Sequence, residues 1–399
     1  MTNRFLKNTN MIRLPQLWSA QSGHSRRVTG IELFFDLIFV AAVAQVGEPL
    51  SRDYSAAGLL RYVFFFVLIW LAWSGHTLYC TRFDTDDLVQ RMSVLTQTFI
   101  AAVMAANAKE PLDSDASAGF GAAYAAMRVL LALQYLRARK IPETKALTTR
   151  FAAGYAIAAA FWIASALSPI PVRYWLWAIG LIIDLATPWF ARKHSLRHPP
   201  DAAHFPERYG LFTIILLGEF VAAVMRGIES QEYWSVAAAS TAFTSMACGF
   251  IVWWGYFDGA KGSGERHVRT KRQAILFHVW NYAHLPLFLG IGVAGVGFHH
   301  AISVTPGAAL EHGEGSVLCA AVALLMIALI AIGATRDDGR PRIVLQTMPV
   351  LAVAGLGLIA SQTPAVLLVI GLGLCTLTQT VLSVGRPDAK SDEITSGEC

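Results

Sequence analysis

Twelve apolar stretches, each long enough to cross a lipid bilayer, dominate this sequence. A helix needs about 20 mostly apolar residues to cross the hydrocarbon core, where its backbone groups must bond within the helix. The chain of 399 residues is 55% hydrophobic and 15% charged, which excludes an ordinary soluble domain. We therefore predict an all-α polytopic membrane protein with about 12 transmembrane helices. The predicted spans are 30–49, 58–80, 91–107, 116–137, 149–167, 172–190, 209–226, 233–257, 272–298, 315–335, 342–360 and 364–384.

The distribution of basic residues predicts the topology. Most of the 32 lysines and arginines lie in the two terminal segments and in alternate connections between spans. Because positively charged connections stay in the cytoplasm, the number of spans should be even and both termini cytoplasmic. The net charge of +5 then reflects topology and contact with the lipid bilayer, and it indicates no nucleic-acid partner. The basic connections are 81–91, 137–150, 191–208, 258–272 and 336–342.

The chain also nearly repeats itself. Segment 27–43 aligns without a gap on segment 208–224, and Phe-Val-Ala-Ala-Val recurs in both. Six helices return the chain to its starting side, so the halves should be parallel repeats related by an axis along the membrane normal. The predicted division is a cytoplasmic N-terminal segment 1–26, a first six-helix repeat 27–207, a second six-helix repeat 208–385 and a disordered cytoplasmic tail 386–399.

Four motifs carry a resemblance to a known family. They are 32–40 (ELFFDLIFV), 82–87 (RFDTDD), 208–219 (RYGLFTIILLGE) and 282–286 (YAHLP). Together they make the chain resemble the bacterial low temperature requirement protein A (LtrA) family over nearly its whole length. The family is named for a growth phenotype in the cold. The resemblance implies a multi-pass protein of the bacterial cytoplasmic (inner) membrane but no particular reaction.

Two acidic residues stand at the start of the first span. Glu32 and Asp36 are four residues apart and therefore share one helix face. A charge at membrane depth costs at least about 2.5–3.5 kcal/mol, so both should face the bundle interior, water or a basic partner. For Glu32, a position near the interface or the helix N-terminus explains the residue as well as a functional role does. For Asp36 a functional or gating role is favoured.

Glu219 is the deepest acidic residue of the sequence. It lies about 16 Å along the seventh span, too deep for a glutamate to reach the membrane surface. An ion-path or substrate role is favoured over a structural ion pair, for which Arg128 is the obvious partner and Asp184 a second candidate. For Arg128 and Asp184 themselves the structural pair is favoured. The excess of acidic residues in the spans favours a cationic substrate or protonated acids.

The histidines of the ninth span are candidates for proton relay. His278 and His284 can exchange protons near neutral pH, or they can simply bond to neighbours in a kinked helix. They are six residues apart, about 240° around a helix, so they cannot chelate a metal together. His194, His198 and His204 are interpreted as solvated loop residues. We predict no metal site and no cofactor.

Residues near the span ends have two interpretations each. Arg27 and Arg208 precede their helices at matched positions. They are lipid-headgroup anchors by default, and cytoplasmic gate contacts in the sharper interpretation.

The segment 84–87 predicts a helix cap in preference to cation recruitment. The small-residue runs 119–126 and 152–160 predict close helix packing.

The predicted function is a transporter or channel for a small ion or solute. Repeat halves with ionisable groups at membrane depth are typical of transporters, and proton coupling through Glu219 and Asp36 is the favoured mechanism. The sequence shows no nucleophile elbow, phosphate-binding loop, zinc-protease motif or dinucleotide fingerprint. The alternative is a non-transporting membrane protein whose buried acids form structural ion pairs. It would be a sensor, an assembly component or an intramembrane enzyme using Asp36, Glu219 and His284.

Overall fold

The protein is built from long apolar helices. The computed structural model describes residues 13–18, 28–84, 87–108, 115–231, 235–311, 313–336 and 343–385. In this part of the chain, 12 helices are long and apolar enough to cross a membrane, which confirms the predicted class. They are α1 (Gly30–Arg52), α2 (Ala56–Cys80), α3 (Leu88–Asn107), α4 (Asp115–Ala138), α5 (Lys145–Ala166), α6 (Val172–Ser195), α7 (His204–Glu229), α8 (Val236–Trp254), α9 (Lys271–Ser303), α10 (Glu314–Ala334), α11 (Ile343–Ile359) and α12 (Ala365–Val384). Arg27 and the predicted tail 386–399 lie outside the described residues.

Local capping explains where several helices begin. The Asp87 carboxylate accepts a hydrogen bond from the backbone N–H of Gln90 at 2.9 Å, so the predicted cap in segment 84–87 is confirmed at Asp87. Thr270 and Gln273 form a reciprocal capping box at the start of α9. These side chains satisfy backbone donors that the first turn of a helix leaves without partners.

Large apolar side chains cover the outward faces of the helices. Phe99, Trp175, Phe243 and Leu358 are each more than half exposed. In water such a surface would be an aggregation hazard, but it is the surface that a lipid bilayer solvates.

The described residues cluster into two compact units. The first comprises those of Met1–Val46 and Phe64–Arg208. In it, α4 packs between α3 and α5, and α5 packs on α6. A Cβ atom at Gly154 would lie 2.3 Å from Thr187 Oγ1, so only glycine allows α5 and α6 to approach this closely. A two-residue antiparallel pair, β1 (Gln16–Leu17) with β2 (Phe83–Asp84), lies beside this helical core.

The second unit comprises the described residues of Gly47–Val63 and Tyr209–Cys399. Here α10 packs against α9 and α11, while α12 packs against α8 and α11. A Cβ atom at Gly290 would lie 2.8 Å from the carbonyl oxygen of Ala321, which explains the close pairing of α9 with α10. The main division of the chain thus falls after Arg208. Residues 47–63, which comprise the end of α1, the connection and the start of α2, group with the second unit.

Candidate functional site

The first unit contains a buried group of four ionisable side chains. Glu32 and Asp36 lie one turn apart on α1, and His204 and Arg208 lie one turn apart on α7. Asp36, His204 and Arg208 are fully buried and Glu32 is 4% exposed. We call these four residues the acid cluster.

Asp36 is held by three hydrogen bonds. Arg208 binds it in a bidentate geometry, with Nε donating to Oδ2 at 3.0 Å and Nη2 donating to Oδ1 at 2.5 Å. The indole Nε1 of Trp73 on α2 donates to Oδ1 at 2.6 Å. Charge-assisted bonds of this kind are among the strongest that a buried carboxylate can form. Because Arg208 is fully buried, its interpretation as a lipid-headgroup anchor does not fit the structure.

The two carboxylate oxygens of Glu32 make different contacts. Its Oε2 accepts hydrogen bonds from the backbone N–H of Thr29 at 2.9 Å and from the Thr29 hydroxyl at 3.0 Å. These contacts cap α1, and the Thr-x-x-Glu spacing is the sequence signal for such a cap. Its Oε1 points to α7, where it lies 3.3 Å from His204 Nε2 and 3.3 Å from Arg208 Nη1. Glu32 therefore combines the capping role with membership of the acid cluster.

His204 connects the acid cluster to a more exposed carboxylate. Its Nδ1 lies 3.8 Å from Oε2 of Glu207, whose side chain is 45% exposed. Asp201 accepts a hydrogen bond from the His204 backbone N–H at 2.7 Å and so helps to start α7 at this residue. The interpretation of His204 as a solvated loop residue is wrong, because the ring is buried against Glu32. The available signal was the i, i+4 spacing of His204 and Arg208, which matches that of Glu32 and Asp36.

The charge balance of the acid cluster allows it to bind a proton. With both carboxylates ionised and His204 neutral, the cluster carries one negative charge, and a single added proton cancels it. An uncompensated charge is costly in an apolar interior, so the neutral state is favoured there. The carboxylate outside the bidentate pair is Glu32, whose Oε1 lies 3.3 Å from His204 Nε2.

A second buried ion pair in the same unit is balanced. Arg128 Nε on α4 donates to Asp184 Oδ2 on α6 at 3.0 Å. The Tyr124 hydroxyl donates to the same carboxylate oxygen at 2.9 Å, and the Arg128 guanidinium also contacts the Tyr124 hydroxyl and ring. We call the Arg128–Asp184 ion pair, together with the Tyr124 hydroxyl that contacts both side chains, the Arg128 pair. One positive and one negative charge cancel, as a structural link between helices requires.

Comparison with known proteins decides the family. The model of the bacterial low temperature requirement A protein (LtrA) family matches residues 27–384, a range that contains the acid cluster and the Arg128 pair. The chain belongs to the LtrA family. An uncharacterized protein of Rhizobium meliloti (strain 1021) is similar to it, with 30% identity over 277 residues that cover 67% of each chain. Together with the 12 apolar helices of the described residues, this makes the chain a multi-pass membrane protein in contact with the lipid bilayer.

In the second unit of this LtrA protein, Glu219 is not fully buried. Its Oε1 lies 2.8 Å from Arg226 Nη2, and the two side chains are 26% and 53% exposed. Arg128 and Asp184, the candidate partners of Glu219 in a structural ion pair, bind each other instead. Arg226 lies seven residues, two helical turns, after Glu219 on α7. The sequence pattern did not indicate Arg226 as the partner of Glu219.

His284 has a hydrogen-bond partner at both ring nitrogens and is surrounded by aromatic side chains. Its Nδ1 lies 2.7 Å from the carbonyl oxygen of Trp280, which can only accept, so Nδ1 carries the proton. Its Nε2 lies 3.0 Å from the Tyr256 hydroxyl and therefore accepts from it. Both ring nitrogens of a neutral imidazole are thus satisfied. His278, on the same helix, is only partly buried and lies beside Phe277.

Among the described residues of the LtrA protein, no three His, Cys, Asp or Glu side chains are grouped so that they could hold a metal ion. Its buried carboxylates, guanidinium groups and imidazole rings are groups that form ion pairs and hydrogen bonds. Of the residues predicted from sequence, the structure brings together Glu32, Asp36 and Arg208 in one place, and Arg128 and Asp184 in another.

Proposed function

We propose that this LtrA protein moves a small ion or solute across the bacterial inner membrane and that the acid cluster binds the coupling proton. The observation that carries the proposal is the charge imbalance of the cluster, two buried carboxylates against one guanidinium and a histidine. Ionisable groups at membrane depth usually serve transport or proton relay. Both termini lie in the cytoplasm in this proposal, and the two six-helix halves are parallel repeats.

Two protonation states of the acid cluster would differ in the forces between α1 and α7. When Glu32 is ionised, it attracts Arg208 Nη1 across 3.3 Å. When Glu32 is protonated this attraction is lost, whereas the bidentate pair of Arg208 with Asp36 persists. A transport cycle requires such a difference, because a ligand shifts a conformational equilibrium only by its differential affinity for the states. Glu207 and His204 form the route by which the proton enters.

The test is a flux measurement on protein reconstituted in liposomes. Proton and monovalent-cation fluxes are recorded under imposed gradients for the wild type, Asp36→Asn and Glu32→Gln. Asp53→Asn is the control, because Asp53 lies in the α1–α2 connection and forms a partly exposed pair with Arg61 of α2. We expect flux in the wild type and in Asp53→Asn, and its loss in both Glu32→Gln and Asp36→Asn. Absence of flux from the wild type under every gradient would reject ion transport.

One observation favours the alternative of a non-transporting membrane component. Glu32, Asp36 and Asp184, the acidic residues buried within the described spans, each have a basic partner. In this alternative, the only role of these pairs is to hold the helices together. In that case the substitutions at Asp36 and Glu32 would lower the free energy of unfolding, while the wild type itself would carry no flux.

A further inference from the structure

A band of polar side chains runs through the interior of the first unit, apart from the acid cluster. It begins on α2 one turn beyond Trp73 and continues between α2, α3 and α4. All of its members are at least nine-tenths buried. We call it the polar band, and it consists of His76, Thr77, Cys80, Gln90, Gln97 and Gln134.

Five members of the polar band form a connected chain, and the sixth, Thr77, follows His76 directly on α2. His76 Nε2 lies 3.2 Å from Cys80 Sγ, and the Gln90 amide donates to the same sulfur at 3.4 Å. Gln97 Nε2 donates to Gln134 Oε1 at 3.4 Å. The Gln134 side chain is also near enough to His76 to interact with its ring. The chain therefore branches at His76 into a Cys80–Gln90 arm and a Gln134–Gln97 arm.

Much of the hydrogen-bonding capacity of the polar band is unused. His76 Nδ1, Thr77 Oγ1, Gln90 Oε1, Gln97 Oε1 and Gln134 Nε2 have no hydrogen-bond partner among the residues that the structure describes. A buried amide or hydroxyl without a partner costs roughly 1–3 kcal/mol in proteins. Five such atoms in one connected region would cost more than a typical packing defect.

We propose that bound water molecules occupy the polar band and satisfy these groups. A buried water needs two to four polar partners. The unpartnered atoms supply both kinds, since the amide oxygens accept and the Gln134 amide donates, while the imidazole nitrogen donates or accepts according to its tautomer. An apolar ligand would leave the same groups unsatisfied. The band is thus a water site inside the helix bundle.

The positions of the two ends of the polar band indicate a role for the bound water. One end lies a helical turn from Trp73, which donates to Asp36. The other reaches Gln90, whose backbone N–H donates to Asp87, a carboxylate that also binds Arg137. On the function proposed above, which this step assumes, the water track carries protons between Asp87 and the acid cluster. This route is separate from the one through His204.

The experiment detects the water directly and requires no transport. The wild-type protein is labelled with 15N-glutamine and placed in lipid bilayers. Water-edited solid-state NMR then follows the transfer of magnetisation from water to each side-chain amide. Gln379 is the matched internal control, because it is 4% exposed like Gln134 but donates to the carbonyl oxygen of Met326 at 2.8 Å. Single Gln→Leu variants that fold assign the signals.

We expect the Gln97 and Gln134 amides to receive magnetisation several-fold faster than the Gln379 amide. Equal, slow transfer at all three amides would overturn the proposal. The result is independent of the flux assay. Fast transfer without any flux in liposomes would leave the water site in place and reject only the proposed function. Slow transfer with flux would reject the water site and leave His204 as the proton route.

Discussion

The acid cluster and the Arg128 pair are two buried ionic sites in one structural unit, and they differ in their charge balance. The Arg128 pair matches one guanidinium with one carboxylate and adds a tyrosine hydroxyl. The acid cluster matches one guanidinium with two carboxylates and a histidine. Burial alone therefore does not distinguish a structural ion pair from a proton site. On the function proposed above, the number of charges left over after pairing does.

The largest expected effect is the loss of the Arg128 pair. Arg128→Met should lower the free energy of unfolding by about 3–5 kcal/mol, because it leaves Asp184 buried without its partner. The double variant Arg128→Met/Asp184→Leu should recover most of that loss, since no unpaired charge is then left at this site. Denaturant unfolding in detergent micelles measures both. A double variant as unstable as the single one would show that Arg128 does more than pair with Asp184.

The second prediction concerns how stability depends on pH when Arg208 is removed. Arg208→Met leaves two carboxylates without their cation, so the folded state must bind more protons than the unfolded state to stay neutral. The free energy of unfolding then falls as pH rises, by up to about 1.4 kcal/mol per pH unit for each extra proton. Unfolding midpoints between pH 5 and pH 8, roughly the range in which histidine titrates, would measure this slope.

Arg128→Met is the matched control for that slope. It leaves one carboxylate, Asp184, where Arg208→Met leaves two. The slope should therefore be steeper for Arg208→Met than for Arg128→Met. Equal slopes would mean that Glu32 contributes no proton site, and the contrast between the two ionic sites would disappear.

A carboxylate outside the spans should show the opposite pH dependence. Burial raises the pKa of Asp87, but the Arg13 backbone N–H and the Arg137 guanidinium outweigh it, so the pKa lies below its ordinary value of 3.8. The stability from this shift is fully present above that ordinary value and is lost as pH falls through the folded-state pKa. Asp87→Asn keeps a capping oxygen and should cost about 1–2 kcal/mol at pH 7.

Measured by thermal unfolding, the difference between wild type and Asp87→Asn should shrink in acid below about pH 4. A difference that grew in acid would mean that burial, and not the contacts with Arg13 and Arg137, governs this carboxylate.

The smallest effect is expected at the partly exposed pair of α7. Glu219→Gln should change the free energy of unfolding by less than about 1 kcal/mol, because the side chains of Glu219 and Arg226 are 26% and 53% exposed. We also expect it to retain flux where Asp36→Asn loses it. Loss of flux in Glu219→Gln with stability unchanged would move the transport site to the second unit.

The helices were predictable in number and type because apolar length is a local property of the sequence. The Asp87 cap was predictable for the same reason, since a cap involves residues only a few positions apart. The Thr29 and Glu32 contact had an equally local signal in its Thr-x-x-Glu spacing.

The partners themselves were harder to predict. Asp36 binds Arg208, which is 172 residues away, and Arg128 binds Asp184, which is 56 residues away. His204 looked like a loop residue because its neighbours along the chain are polar, and only the structure shows that its ring is buried beside Glu32. Glu219 looked buried because its span is apolar, and only the structure shows that its side chain is partly exposed beside Arg226.

The sequence by itself therefore determined a multi-pass helical membrane protein of the LtrA family, with acidic residues that cannot face lipid. Those conclusions depend on hydropathy and on the cost of burying charge, which are properties of single segments. The tertiary structure decided which charges cancel and which remain. That difference separates the Arg128 pair from the acid cluster, because electrostatic energy in an apolar interior depends on the distances between side chains that are remote in sequence.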